Sequence, residues 1–162
     1  MILSKLTIVC LGKCKESYWR DACAEYQKRL GGFCKLNIVE LEPERLSENP
    51  SDAQIAQALD REAQRITAKI PAGATTVALC IEGTKWSSEQ LADRLQTAAL
   101  GGSSHVVFLI GSSYGLADSV KRAAQFRISM SDMTFPHQLA RVMLLEQLYR
   151  AMKLLGGGTY HK

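Results

Sequence analysis

Three stretches of the chain place chemically capable groups where glycine or proline controls the backbone. The first is LIGSSYGL, residues 109–116. A glycine directly after an apolar run, with another four residues later, lets the backbone approach a ligand closely. It lacks both the GxGxxG spacing of a dinucleotide fold and the lysine of a P-loop, so neither mechanism applies. Any sharp strand-to-helix turn also favours glycine, and that plainer reading stands beside the ligand loop. The second is ISMSDMTFPH, residues 128–137, in which small polar residues lead to Pro136 and His137. Backbone amides and carbonyls exposed there suit the edge of an adenine; a connector with a hydroxyl cap is the alternative. The third is Tyr160-His161-Lys162, behind Gly156-Gly157-Gly158. Histidine suits proton transfer near neutral pH, yet a tail behind three glycines ordinarily frays.

The residues from His137 onward read as one long apolar helix, from about Gln138 to Leu155. Its dipole disfavours the cationic form of a histidine at its start. Apolar residues cover more than half its circumference, so it calls for burial from two sides, and a two-fold dimer interface is the natural second cover. Glu146 and Arg150 are spaced for an i,i+4 pair, whereas Arg141 has no evident partner on the helix.

The elements that must position these groups alternate. Leu6–Leu11, Leu36–Glu42, Thr76–Ile81, His105–Ile110 and Phe126–Ser129 are short apolar or β-branched runs that read as strands. Helical spacing covers 17–30, a stretch capped by Ser51 or Asp52 and reaching about Lys69, 87–99 with a Ser87/Gln90 capping box, and 116–124. This order predicts a single α/β domain with a mostly parallel sheet flanked by helices on both faces. Ligands in such sheets bind beyond the C-terminal ends of the strands, which directs attention to the loops 82–86, 111–115 and 130–137.

The chain has 162 residues, enough for one core, with 46% hydrophobic and 22% charged residues. No apolar run approaches the roughly 20 residues that span a bilayer, and the N-terminal residues read as a strand rather than a signal peptide. Five cysteines without a CxxC pair, far from the three histidines, argue against a structural metal and for a reducing cytoplasm. The net charge is +4. Residues 1–35 carry seven Lys/Arg against three Asp/Glu, 36–102 six against ten, and 103–162 seven against three. Either this drift is incidental or the two ends form a basic face suited to a phosphate backbone.

Taken together, IGSSYG at 110–115, SMSDMTFPHQLARVMLLEQLYRA at 129–151 and YH at 160–161 resemble the RlmH family, ribosomal pseudouridine N3-methyltransferases of the SPOUT class. The likeness spans the chain, including Gly83 and Trp86 after the third strand. It implies one SPOUT domain over 1–162, with a C-terminal trefoil knot forming the cofactor-binding part over approximately 76–162. It implies S-adenosylmethionine as cofactor, at Leu79, Gly111, Met130, Ser131, Asp132, Met133, Thr134 and Phe135, and no metal. Members often have a second glycine after Gly111, where this chain has Ser112. The implied partners are 23S ribosomal RNA within the ribosome and a second copy of the chain, with no membrane. Among the candidate catalytic residues, His161 is the base or proton relay and Tyr160 a stacking or hydrogen-bonding partner. His137 and Arg141 hold the pocket and the nucleotide. A SPOUT enzyme acting on transfer RNA would be separated by the nucleosides it modifies. A non-catalytic RNA- or nucleotide-binding module would show no thermal shift with S-adenosylmethionine.

Overall fold

The computed structural model describes residues 3–156. Five runs rich in apolar and β-branched residues form its sheet: β1 (Lys5–Leu11), β2 (Lys35–Leu41), β3 (Thr75–Lys85), β4 (His105–Ile110) and β5 (Phe126–Ser129). The strands lie in the order β2-β1-β4-β3-β5, with every pairing parallel. The helices are α1 (Ser17–Leu30), α2 (Asp52–Thr67), α3 (Ser88–Leu100), α4 (Asp118–Ala123) and α5 (His137–Leu155).

Alternation along the strands divides the core in two. Leu6, Ile8, Cys10, Val106, Phe108 and Ile110 face α1, α3 and α5, where Leu30, Leu91, Leu95, Leu144, Leu145 and Leu148 meet them. Val9, Leu11, Ala78, Val107 and Leu109 face the other way, onto Ala63 and Ile66 of α2 and Val120 of α4. The helices start where their hydroxyls dictate. Ser51 and Ser87 each accept the backbone N–H of the glutamine three residues on, and that glutamine accepts the N–H of the serine. Both capping boxes satisfy donors that would otherwise be orphaned.

The third strand runs past its expected end at Ile81. Leu79 and Thr84 both register with Ile128 of β5, so residues 80–83 form a bulge and the strand continues to Lys85. Gly83 permits the close pairing: a Cβ there would lie 2.6–2.7 Å from the Arg127 and Ile128 backbone. The final helix lies between α1 and α3, and none of its residues is fully exposed. Its Glu146 carboxylate accepts from Arg150 at 2.8 Å, the pair expected from spacing.

Sheet order places the rim. β1 and β4 are neighbours, but β1 leads outward to β2 while β4 lies on the side of β3 and β5, so the connections diverge between them. Gly12 follows β1, Gly111 follows β4 and Met130 follows β5. All three reach the C-terminal edge of the sheet, where loops of α/β proteins gather ligands.

Candidate functional site

A cleft of about 780 Å³ opens at that edge. Its walls come from the β3 bulge (Leu79, Cys80, Ile81, Glu82), the glycine loop (Gly111–Leu116) and the segment from Ile128 to His137. Of the residues assigned to the cofactor by resemblance, Leu79, Gly111, Met130, Ser131, Met133, Thr134 and Phe135 line it. Asp132 does not: its carboxylate turns to Lys85 Nζ at 2.6 Å, on the surface. Trp86 also lies away from the cleft. Its ring meets Phe126 edge-on at 5.5 Å, and the Arg94 guanidinium covers both rings.

The glycine loop is tight for a reason of space. A Cβ on Gly111 would overlap the Gly115 carbonyl and lie 2.9 Å from the Leu116 nitrogen. The loop closes through Gly115 N–H donating to Ser112 C=O at 2.8 Å, with Gly115 in the left-handed region at φ 85°. Ser112 is not merely a small substitute for a second glycine. Its hydroxyl donates to Glu62 Oε1 at 3.1 Å, and the buried Glu62 also accepts the Glu44 backbone N–H at 2.8 Å. Helix α2 and the polar loop after β2 thus hold the glycine loop from behind. The opposite wall is held by its own hydroxyls: Ser129 Oγ donates to Ser131 C=O at 2.8 Å, and Ser131 Oγ accepts from Met133 N–H at 3.0 Å.

The titratable groups of the cleft have defined states. Glu82 Oε1 lies 2.6 Å from Lys121 Nζ, and this hydrogen bond holds the carboxyl below its ordinary range. Glu82 is therefore an acceptor, not a source of protons. Burial, with Glu82 close by, pushes the Cys80 thiol up. His137 is the first helical residue of α5, after Pro136 at the N-cap. Its ring packs on Gly12, whose φ of 115° and missing Cβ leave room; a Cβ there would lie 3.0 Å from His137 Cε1. Burial first, and the Arg141 charge second, push the His137 pKa down. The helix terminus acts in the same direction.

Linkage follows from that shift. The unfolded chain takes up this proton near 6.5, and the folded chain only at lower pH. Between those values the unfolded state binds more protons, so stability falls as the pH drops through the window and is retained above it. His105 contributes in the same sense, being lowered by burial and by Lys5. We expect His137→Asn to flatten the acid side of the melting-temperature profile between pH 7 and 5. An unchanged profile in that variant would show that His137 titrates normally.

Arg141 is not in the cleft with His137. It is 3% exposed; its Nη1 donates to Glu40 Oε2 at 2.6 Å and its Nη2 to Gly12 C=O at 2.9 Å. The partner missing from its own helix is on β2, 101 residues away in sequence. Arg141 does not line this cleft; it fixes the Gly12 turn on which His137 rests. Tyr160 and His161 lie outside the described residues.

Two groups escaped the sequence reading although their types are informative. Glu82 belonged to an inspected loop, but its ion pair with Lys121 of α4 spans two elements. Glu62 sat within a helical run with nothing local to mark it as buried. No helix among the described residues is long and apolar enough to cross a membrane.

Comparison with known proteins gives two findings. Residues 4–161 match the family model described as "Predicted SPOUT methyltransferase". Among solved structures, the chain resembles "a probable methylase family protein from Haemophilus influenzae Rd KW20" at 12% identity and a TM-score of 0.56. The match covers 99% of this chain and 72% of that one, and at this identity the likeness is one of fold.

Proposed function

Because the chain belongs to the SPOUT methyltransferase family, we propose that it is an RlmH-type enzyme methylating N3 of a pseudouridine in 23S ribosomal RNA, on the assembled ribosome. The observation that carries the cofactor half of this reading is the cradle at Gly111, where no Cβ fits and backbone forms the wall of the cleft. Leu79, Met130 and Phe135 offer apolar surface, and Glu82 offers a carboxylate held ionised. These residue types fit the adenosine and the charged tail of S-adenosylmethionine. When bound, that cofactor supplies a methyl group on a sulfonium.

The chain's own contribution is positioning and proton removal. The imide N3–H must be lost for the nitrogen to accept the methyl group. Neutral His137, fixed between Gly12 and the first turn of α5, presents a hydrogen-bonding ring to the target base. His161 takes the proton and Tyr160 serves as a stacking or hydrogen-bonding partner of the base. We also propose that residues 76–162 carry the family's knotted threading, which a crystallographic chain trace checks. A second copy is proposed to cover α5, where Met143 borders a cavity of about 420 Å³ shared with Trp86, Leu91 and Ile128. Sedimentation velocity should give one species of twice the 17.9 kDa chain mass, and a monomer would remove the dimer from the reading.

The experiment is mass spectrometry of ribosomal nucleosides from cells with and without the gene. N3-methylpseudouridine should disappear from 23S RNA on deletion and return when purified protein and S-adenosylmethionine are added to the deletion ribosomes. A modified nucleoside lost from transfer RNA instead would keep the methyltransferase and replace its substrate.

A further inference from the structure

The Gly12 turn separates two clefts. On one side it supports His137. On the other its carbonyl meets Arg141 at the base of a second cleft of about 550 Å³, outside the first. Lys13, Lys15 and Arg20 stand around this second cleft, and Arg141 and Glu40 form its floor.

Arg141 shows an unmet requirement. Two of its nitrogens are held by Glu40 and Gly12, but Nε is buried and has no hydrogen-bond partner among the described residues. Buried donors of this kind are rare because each forfeits its hydration without return. An oxygen-bearing anion entering the cleft supplies the acceptor.

The charges around it agree. Four cations face two carboxylates: Glu40, already engaged by Arg141, and Glu42, 3.6 Å from Lys13 on the exposed rim. The Cys23 thiol that lines the cleft with them does not add negative charge, since burial pushes it up to about 11. Arg20 Nη1 donates to the Cys14 carbonyl at 3.3 Å and to that of Lys15, which fixes the turn. Lys15 itself is exposed and has no ion-pair partner among the described residues.

The geometry points to a phosphodiester site: we propose that this cleft holds a backbone phosphate of the RNA strand whose target nucleotide occupies the first cleft. The inference rests on the RNA-methyltransferase reading and adds where the strand is gripped. A phosphate has several acceptor oxygens for one charge, matching a guanidinium edge on the floor and two mobile ammonium groups on the rim. Interactions of that kind fix register without reading sequence. Gly12 lies between the two sites, its carbonyl on Arg141 and its α-carbon against the His137 ring, so a strand held in the second cleft passes close to His137. Arg141 is then a positioning residue, acting through the phosphate and the turn.

The test uses the full chain and ribosomes purified from cells lacking the gene. The double variant Lys13→Ala/Lys15→Ala should bind them at least about tenfold more weakly. Its plot of log affinity against log salt should be shallower by about 0.7–0.9 for each phosphate that no longer meets a cation. KM for ribosomes should rise while kcat at saturation holds. Arg141→Lys, which keeps one charge but loses the planar fork, should weaken binding in the same way; if that variant does not fold, the lysine pair decides. Unchanged affinity and salt slope in the lysine pair overturn the proposal. Weaker binding at every salt concentration with an unchanged slope also overturns it, since the two lysines would then be meeting ribosomal protein. Calorimetry with S-adenosylmethionine on the lysine-pair variant should show no difference from the parent. A parent chain that binds ribosomes but not the cofactor would sink the methyltransferase reading, with the salt slope still judging the phosphate site.

Discussion

Gly111→Ala is expected to abolish S-adenosylmethionine binding measured by calorimetry, although it adds a single methyl group. The added carbon has no space: the Gly115 carbonyl occupies its position and the Leu116 nitrogen is 2.9 Å away. Either Gly115 moves outward, breaking its hydrogen bond to Ser112, or β4 shifts at its end. Overpacking of this kind typically costs about 1–3 kcal/mol, so the domain should still fold with a lowered melting temperature. The strain falls on the wall of the cleft, because the rest of the loop is anchored through Ser112 and Glu62 to α2 and has little freedom to yield. Ser112→Ala is the milder companion. It leaves the loop in place but deprives the buried Glu62 of a donor, so it should lower stability more than cofactor affinity. A Gly111→Ala protein that binds the cofactor with parental affinity would show that the glycine loop is only a turn.

These expectations show where sequence reading succeeds and where it stops. The strands and helices were legible because their signals are local. Apolar alternation, serine followed by glutamine three residues on, and a glycine after an apolar run are all satisfied within a few residues. Two of the three loops singled out by their position after strands, 111–115 and 130–137, line the cleft for the same reason, whereas 82–85 belong to the extended third strand. What could not be read was long-range pairing between polar groups. Arg141 looked available for a nucleotide because its partner Glu40 is on β2, and nothing in either neighbourhood names the other. Ser112 looked like a conservative filler because its partner is in α2, 50 residues earlier. The β3 bulge was missed because Glu82-Gly83 reads as the end of a strand, and only the double registration of Ile128 reveals that the strand resumes. Asp132 was drawn into the site by its place within a motif, although its side chain pairs outward with Lys85.

Deleting Thr159–Lys162 is expected to remove methylation while leaving the melting temperature and cofactor affinity unchanged. In the proposed reaction, the proton that leaves N3 decides this. Among the described residues lining the cleft, the titratable side chains are Cys80, Glu82, Tyr114, Lys121 and His137. Glu82 is bound to Lys121, which lowers its affinity for a proton, and Lys121 is the cation of that pair. The Cys80 thiol is pushed up by burial and carries no thiolate to act as base. Tyr114 is a phenol that stands 47% exposed. His137 is neutral, but burial and Arg141 oppose the imidazolium it would become. Of the two other histidines in the chain, His105 is bonded to Thr7 at the opposite edge of the sheet. His161, which lies beyond the described residues, is the proposed base. General-base removal is worth about 10²–10⁴-fold, so His161→Ala should lower kcat by that factor on deletion ribosomes. The four-residue deletion should lower it further through the loss of Tyr160. Binding of ribosomes by His161→Ala should persist, because the phosphate cleft is lined by residues between Lys13 and Glu40 and by Arg141. If the truncated protein methylates ribosomes at the parental rate, the proton goes to His137 despite its surroundings, and His137→Ala must then abolish the reaction.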